Sequence, residues 1–423
     1  MARIGIRKTA LSLAVAGVFA GGVSQAHASA FALIEQSASG LGNSYAGAAA
    51  AAEDASTIFY NPAGMSLLPG GMQVSAGLAL INLSVKFSDS GSTPGAGPRP
   101  LGNNGGDAGD LSAVPNVYFA MDVAPDWKVG VGVSVPFGLK TEYDPAWIGR
   151  FQAIKSDIST LNINPSVSYK LNQTVSLGFG LNYQSIDAEF TKAVNLGASE
   201  ELADIKAKDN SGWGYNLGAM FQVAPDTRLG VSYRSSIKYH PTGTATFSAG
   251  NPFASGNVSI DIKMPDSASI AVQHRLNPGW ILLADVTRTG WSKIKDLTIM
   301  SDTVGTLSST PENFRNTWRI GVGAVHRYDD AWSIKMGLAY DQTPVNNTDR
   351  TPRLPDNNRL WLSFGGQYKL SKDGTLDFGY AHLFIKDASI NQANPTPPPG
   401  NGQLVGTYKG SVDILGVQFA YRF

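Results

Sequence analysis

From Trp127 to Lys140 the chain alternates without interruption between two kinds of residue. Trp127, Val129, Val131, Val133, Val135, Phe137 and Leu139 share one side; Lys128, Gly130, Gly132, Ser134, Pro136, Gly138 and Lys140 share the other. Alternation with period two is the mark of a strand, here with one apolar face and one small or polar face. The same pattern returns in Val175, Leu177, Phe179, Leu181 and Tyr183, in Trp213, Tyr215, Leu217, Ala219, Phe221 and Val223, and in Trp332, Ile334, Met336, Leu338 and Tyr340. Fourteen such segments are expected, near 72–88, 113–124, 127–140, 157–170, 174–190, 211–223, 227–240, 265–276, 280–291, 314–327, 331–341, 359–370, 375–386 and 410–423.

The connections constrain the fold further. Six are tight, such as Ala124-Pro125-Asp126 and Asn277-Pro278-Gly279, and they alternate with seven long ones, near 89–112, 141–156, 191–210, 241–256, 292–313, 342–358 and 387–409. An even number of antiparallel strands with short turns at one end and long loops at the other is the signature of an outer-membrane barrel. Lipid offers no partners for backbone N–H and C=O groups, so strands cross it only when closed on themselves. The apolar faces must then point outward, with Trp127, Tyr169, Tyr183, Trp213, Tyr239, Trp332, Tyr340, Tyr368 and Tyr380 as interfacial aromatics. The fold class is all-β: a 14-stranded antiparallel transmembrane β-barrel with a small N-terminal hatch, or plug, in its lumen.

Three domains are expected: a signal peptide at 1–28, the hatch at 29–70 and the barrel at 71–423. Arg3, Arg7 and Lys8 form a basic leader before the apolar run Thr9 to Val23, and Ala26-His27-Ala28 is a small-x-small cleavage site. That apolar run is shorter than the roughly 20 residues needed to span a bilayer. A soluble β-sandwich also alternates, but it does not account for the leader, the loop asymmetry or the aromatic strand ends.

Only 16% of residues are charged, the formal net charge is zero and there is no cysteine. Such a chain has no bulk attraction for nucleic acid, no disulfide framework and no thiolate site. Residues 29–70 lack alternation and are rich in Ala, Gly and Ser, with a turn at Asn61-Pro62-Ala63-Gly64. Small residues permit close backbone approach but cannot build an independent core, so this segment is expected inside the cylinder.

The ordered series Ser39-Gly40-Leu41-Gly42-Asn43-Ser44-Tyr45-Ala46-Gly47, Ala52-Glu53-Asp54-Ala55 and Asn61-Pro62-Ala63 resembles the hatch of the FadL family, outer-membrane transporters of long-chain fatty acids and hydrocarbons. Gly138-Leu139-Lys140-Thr141-Glu142-Tyr143 is similar to that family at the exit of the third strand, and the likeness covers essentially the whole mature chain. The resemblance implies a cell outer membrane location in a Gram-negative bacterium and passive movement of hydrophobic molecules. The ligand would pass from an extracellular groove to a pocket beside the hatch, then leave through a lateral gap at the kinked third strand. Assembly by the barrel-assembly machinery agrees with the terminal strand, which ends Phe419-Ala420-Tyr421-Arg422-Phe423.

Site candidates follow. Pro136, Phe137 and Gly138 mark the lateral opening, since proline cannot donate to a ladder and belongs at an edge or bulge. Asn61, Pro62 and Ala63 are the hatch motif. Phe31, Leu33, Ile34, Arg319 and Lys335 are candidates for the ligand pocket, the two cations being placed by strand parity to hold a carboxylate. Parity also turns Arg234, Lys238 and Arg275 inward. Trp147, Phe151, Leu202 and Ile205 are candidates for the extracellular groove, with 198–208 read as a short loop helix carrying Leu202 and Ile205 on one face. Leu196, Phe247 and Phe253 are further loop hydrophobics. The partners expected are hydrophobic small molecules, long-chain fatty acids first and aromatic hydrocarbons or other lipids second, together with outer-membrane lipid. A monomer without cofactor is expected.

Two other classes compete. A hydrolase needs a base within reach of a nucleophile. Of five histidines, His27 lies in the leader, parity turns His274, His326 and His382 to lipid, and no nucleophile motif accompanies His240. No metal-ligand cluster or phosphate-cradling glycine loop is present. A general diffusion porin would have an open, charged lumen, which the plug-like segment and the glycine-rich inner face oppose.

Overall fold

A computed structural model of the chain describes residues 30–248, 255–393 and 400–423. The leader and its cleavage site, Ser29 and Phe253 lie outside the described residues. Fourteen strands form one closed antiparallel barrel: β1 (Met72–Asp89), β2 (Leu111–Ala124), β3 (Trp127–Ser134, resuming as Gly138–Glu142), β4 (Lys155–Lys170), β5 (Val175–Asn195), β6 (Glu200–Ala224), β7 (Thr227–Arg234), β8 (Ser267–Asn277), β9 (Trp280–Thr289), β10 (Thr317–Arg327), β11 (Trp332–Asp341), β12 (Arg359–Lys369), β13 (Gly374–Ile385) and β14 (Gln403–Arg422). Closure is between the ends of the chain, β1 against β14 from Gln73↔Arg422 to Asp89↔Gly406, so no long edge is left for lipid to meet. The short turns all fall at one rim, as the alternation of the sequence requires. At the opposite rim the long connections carry strands of their own, among them the hairpin of Asp296–Ser301 with Gly305–Pro311.

The outward faces are those read from period two. Leu177, Phe179, Leu181, Ile270, Ile320, Val322, Leu338 and Val417 stand exposed on the outer wall, Ile270 at 64%. Aromatic pairs such as Trp127 on Tyr169 and Tyr183 beside Trp213 mark the rims of this belt. In water such a surface would be unstable; in lipid it is the required one.

Three sequence expectations need correction. The segment 198–208 is not a helix: Glu200 onward belongs to β6, paired with β5 through Asn195↔Glu200 and Lys192↔Ala203. A bulge where Gln184 and Ile186 face Gly212 and Asp209 shifts the phase of β6, hiding the alternation. Leu202 therefore points outward and Ile205 inward, on opposite faces. The third strand is not continuous to Lys140, because it breaks at Val135-Pro136-Phe137. The seventh strand also breaks, at Ser235-Ser236, which resets parity: Ile237 and Tyr239 turn into the core, and Lys238 is exposed rather than lumenal.

Inside the cylinder lie residues 30–70, as single turns at Leu41–Asn43, Ala48–Ala51, Thr57–Tyr60 and Pro62–Leu67. Wall glycines make the room for them. A Cβ on Gly230 would stand 1.9 Å from the Ala49 carbonyl oxygen, one on Gly178 2.2 Å from the Ala63 nitrogen, and one on Gly337 2.1 Å from the Asn43 carbonyl carbon. Ser44, Tyr45 and Ala52 sit in the left-handed region, at φ 53°, 56° and 47°. Each such residue costs about 1–2 kcal/mol, so the hatch holds this shape only because the wall imposes it.

Candidate functional site: a cavity between hatch and wall

Proline at position 136 removes one ladder donor, and the break beside it leaves further backbone groups to be satisfied. The N-terminal segment satisfies them from within. Leu33 N–H donates to the Pro136 carbonyl at 2.8 Å, and Gly138 N–H donates to the Phe31 carbonyl at 2.9 Å. The amide of Gln36 does the same for Val135: its oxygen accepts from Val135 N–H at 3.1 Å and its nitrogen donates to Val135 C=O at 2.7 Å. Thr160 Oγ1 accepts from Phe137 N–H and donates to Phe137 C=O. Gln36 and Thr160 carry no sequence signal for this role, because their partners are backbone groups remote in the chain.

On the other side of the break β2 and β3 are not paired. The ladder of β2 with β3 ends at Val117↔Val133, and residues 111–116 of β2 pair only with β1. Above that level Gly138–Glu142 pairs only with β4. Pro115 lies on the free stretch of β2, the place in a strand where a missing N–H is tolerated. The gap closes again above, where Glu142 N–H meets the Ala108 carbonyl at 3.1 Å and Lys140 meets Asp110 at 2.5 Å.

Behind the break lies a cavity with an empty volume of about 1100 Å³, including its solvent-open part. Its hatch side includes Leu33, Ile34, Phe59 and Tyr60; its wall side includes Pro136 and Phe137 from β3, with Arg234, Asp285 and Arg319 from β7, β9 and β10. Phe31 stands at its edge, packed edge-on to Trp291 at 4.8 Å and 6.2 Å from Phe137. Phe31 and Leu33 point apart, each entering a different apolar cluster. The cluster around Leu33 includes Ile81, Val85, Phe87, Leu383, Val412 and Ile414, all inward-facing. Sequence parity missed this apolar lumen because the pattern inverts there: Asn82, Ser84 and Lys86 of β1 and Lys409, Ser411 and Asp413 of β14 face outward, and the apolar residues between them face in.

The remaining candidates separate. Arg319 lines the cavity, bonded to Asp285 at 3.2 Å and to the Ser44 carbonyl. Lys335 is not in the cavity lining: it is buried under the hatch, bonded to Glu53 at 2.5 Å, Asp377 at 3.1 Å and the Ser39 carbonyl at 2.8 Å. Asn61 fastens the hatch to the wall, donating to Ala49 C=O at 2.7 Å and Ala219 C=O at 3.1 Å while its oxygen caps Ala63 N–H; Pro62 begins the turn it caps. Trp147 and Phe151 are buried within the loops rather than on a surface groove. Trp147 stacks on Tyr143 at 4.0 Å, and Phe151 lies under the Arg150 guanidinium. With Leu202 outward and Ile205 inward, these four residues do not share one groove.

Glu35 adds a charge the sequence did not flag. It is fully buried with no hydrogen-bond partner for either carboxylate oxygen, and burial pushes its pKa up to about 7 against the pull of Arg359 and Arg319. A buried carboxylate without donors favours its protonated form. No group of three or more potential metal-ligating side chains occurs among the described residues.

A family model described as outer membrane protein transport protein (OMPP1/FadL/TodX) matches residues 19–423. The long-chain fatty acid transport protein of Salmonella typhi is 28% identical over 447 residues, covering 98% of each chain. The crystal structure of a Pseudomonas aeruginosa FadL homologue superposes with a TM-score of 0.87 at 25% identity, covering 93% of this chain and all of that one. The structure of CymD, a monoaromatic hydrocarbon channel, shares the fold with a TM-score of 0.68 at 20% identity, covering 93% and 99% of the two chains.

Proposed function

The chain belongs to the OMPP1/FadL/TodX family of outer membrane transport proteins, and on that premise we propose that it carries long-chain fatty acids inward by passive diffusion. The observation that carries the proposal is the continuity of the cavity with the break in β3, since its lining joins Leu33, Ile34, Phe59 and Tyr60 to Pro136 and Phe137. The cargo enters from the extracellular side and rests between hatch and wall. It leaves sideways when residues 31–36 let go of Val135, Pro136 and Gly138. No step needs energy input, because burial of the apolar tail at about 25 cal/mol per Å² holds the ligand and lipid receives it.

In this reading Asn61, Pro62 and Ala63 keep the body of the hatch fixed while its first residues move. Phe31, Leu33 and Ile34 form the moving face, and Pro136, Phe137 and Gly138 the exit. Arg319 shapes the pocket through Asp285, and Lys335 anchors the hatch instead of binding cargo. The barrel acts as a monomer, without catalysis or cofactor, and its terminal Phe423 serves recognition by the assembly machinery. Neutral aromatic hydrocarbons are the second reading, favoured by the Phe31, Phe137 and Trp291 cluster, which asks for no head group.

The test uses the absence of native cysteine. Register places Asn116 opposite Ser134 just beyond the last β2–β3 pair. A disulfide between N116C and S134C is expected to depress uptake of labelled oleate by cells, with recovery on reduction. Full uptake by the oxidised form would refute lateral exit.

A further inference from the structure

We infer that Lys238 and Lys263 form a docking site, on the outer wall of the barrel, for the phosphate head group of an outer-leaflet lipid. This goes beyond the transport reading and does not depend on it, since the site lies outside the cylinder, above β7 and β8 rather than at the break in β3.

The interruption at Ser235-Ser236 creates the site. Beyond it, Ile237–Tyr239 pairs with Ile262–Met264, the segment leading into β8, as a separate two-stranded ribbon. Ile237, Tyr239 and Met264 are buried in the apolar cluster that also holds Phe31 and Trp291. Alternation along a strand turns the residues between them the other way, so Lys238 and Lys263 both face outward. Register sets the two directly opposite each other. Like charges at such a pair destabilise the ribbon unless an anion joins them. Among the described residues neither ammonium has an ion pair or a hydrogen bond. The neighbouring carboxylates are engaged elsewhere: Asp266 with Lys293, Asp261 with His240 at 2.8 Å, and Asp209 with Ser211 and the His240 N–H. A third cation stands close by, because burial and the charge of Lys263 together hold the Lys293 pKa below its ordinary value.

Height identifies the occupant. Tyr239 packs over Gly212 and Ile237 over Gly214, so Lys238 is level with Trp213, which is 62% exposed and paired with Tyr183 in the aromatic belt. Just below, Tyr215 lies 6.0 Å from Tyr233. The two lysines therefore stand where hydrocarbon gives way to head groups. Beneath them the outer faces of β7 and β8 continue as an apolar strip, with Tyr233 opposite Ala268 and Val231 opposite Ile270. The small side chain of Ala268 beside Tyr233 leaves room for an acyl chain. A lipid whose phosphate joins the two ammonium groups then lays its chains on that strip. Lysine binds phosphate as a point charge, and each lysine at this height adds affinity for an anionic lipid. A free phosphate ion would use the charges and gain nothing from the strip.

The experiment titrates the purified protein, in neutral detergent, with dioleoyl phosphatidate, with dioleoylglycerol, which has the same chains and no phosphate, and with inorganic phosphate. Bound lipid is read by native mass spectrometry. The wild type is expected to bind phosphatidate at least tenfold more tightly than dioleoylglycerol. K238Q/K263Q relieves a like-charge pair and so keeps the fold; it is expected to lose roughly 10- to 30-fold for phosphatidate, the effect of two lysines at an anionic surface, with dioleoylglycerol unchanged. K369Q/K372Q removes two exposed lysines at the short-turn rim and should bind phosphatidate as the wild type does. Equal losses in the two double variants would mark attraction to net charge alone and overturn the site, as would undiminished binding by K238Q/K263Q. Displacement of phosphatidate by an equal concentration of inorganic phosphate would overturn the lipid as its occupant.

Discussion

Replacing Lys335 with methionine puts the hatch's attachment to a quantitative test. Lys335 stands on β11, Asp377 on β13 and Glu53 in the hatch, so one ammonium joins two wall strands to the plug. The Lys335 side chain is 3% exposed and that of Asp377 1% exposed, which leaves little solvent to screen them. Without the ammonium, the docked hatch seals Asp377 away from water with no cation, and it holds Glu53 beside it. Undocking rehydrates both, so the cost of the substitution falls on the docked state. Breaking a buried pair by removing one partner costs about 3–5 kcal/mol. At 1.4 kcal/mol per tenfold, that shifts the docked-to-undocked ratio by a factor of roughly 100 to 4000. Planar-bilayer recording is the assay: the wild type should be nearly silent, and K335M should show frequent openings to a conductance typical of an unplugged barrel. Adding E53Q and D377L to K335M removes the stranded charges and should restore silence, since a buried ion pair is replaceable by apolar residues of similar volume. A silent K335M, or a triple variant as leaky as the single one, would refute the anchoring argument.

Two further outcomes are expected. The Glu35 carboxyl has its pKa at about 7 when docked and 4.5 when free, so between these values the docked hatch retains a proton that the released one loses. The docked state is therefore fully stable below pH 4.5 and weakens as pH rises to about 7; conductance should climb over that window in the wild type and stay flat in E35Q, and a pH-independent wild type would contradict the burial of an unpartnered acid. Gly230→Val places a side chain where the Ala49 carbonyl already stands, 1.9 Å from the new Cβ, and overpacking of this kind costs about 1–3 kcal/mol. Protease sensitivity of the hatch should rise while the heat-resistant barrel is retained; an unchanged hatch would show that the wall glycines are not needed as its seat.

Much of this molecule was legible without coordinates, because lipid enforces a simple rule. Each strand must show apolar residues outward and close its backbone bonds sideways, and that rule writes period two into Trp127–Val133, Leu177–Tyr183 and Trp332–Tyr340 and alternates short turns with long loops. The chain alone thus determined the strand number, the closure, the orientation of faces and the place of a small-residue segment inside. Local breaks of phase defeated the same rule. The bulge near Gly212 disguised the upper half of β6 as a helix, and the interruption at Ser235-Ser236 turned Lys238 out. Pro136 announced a weak point in β3, yet nothing near it in sequence said that Leu33 and Gln36 would bond across the break, or that Pro115 would face the gap. How the lumenal cations are paired was equally hidden: parity turned Arg234, Lys238, Arg275, Arg319 and Lys335 inward and singled out Arg319 and Lys335 on adjacent strands, and only the folded chain set Asp285 against Arg319 and Glu53 with Asp377 against Lys335. Periodicity is a local property carried by neighbours along a strand. Pairing of charges and the fit of glycine against backbone join residues hundreds of positions apart, and the closed barrel brings them together.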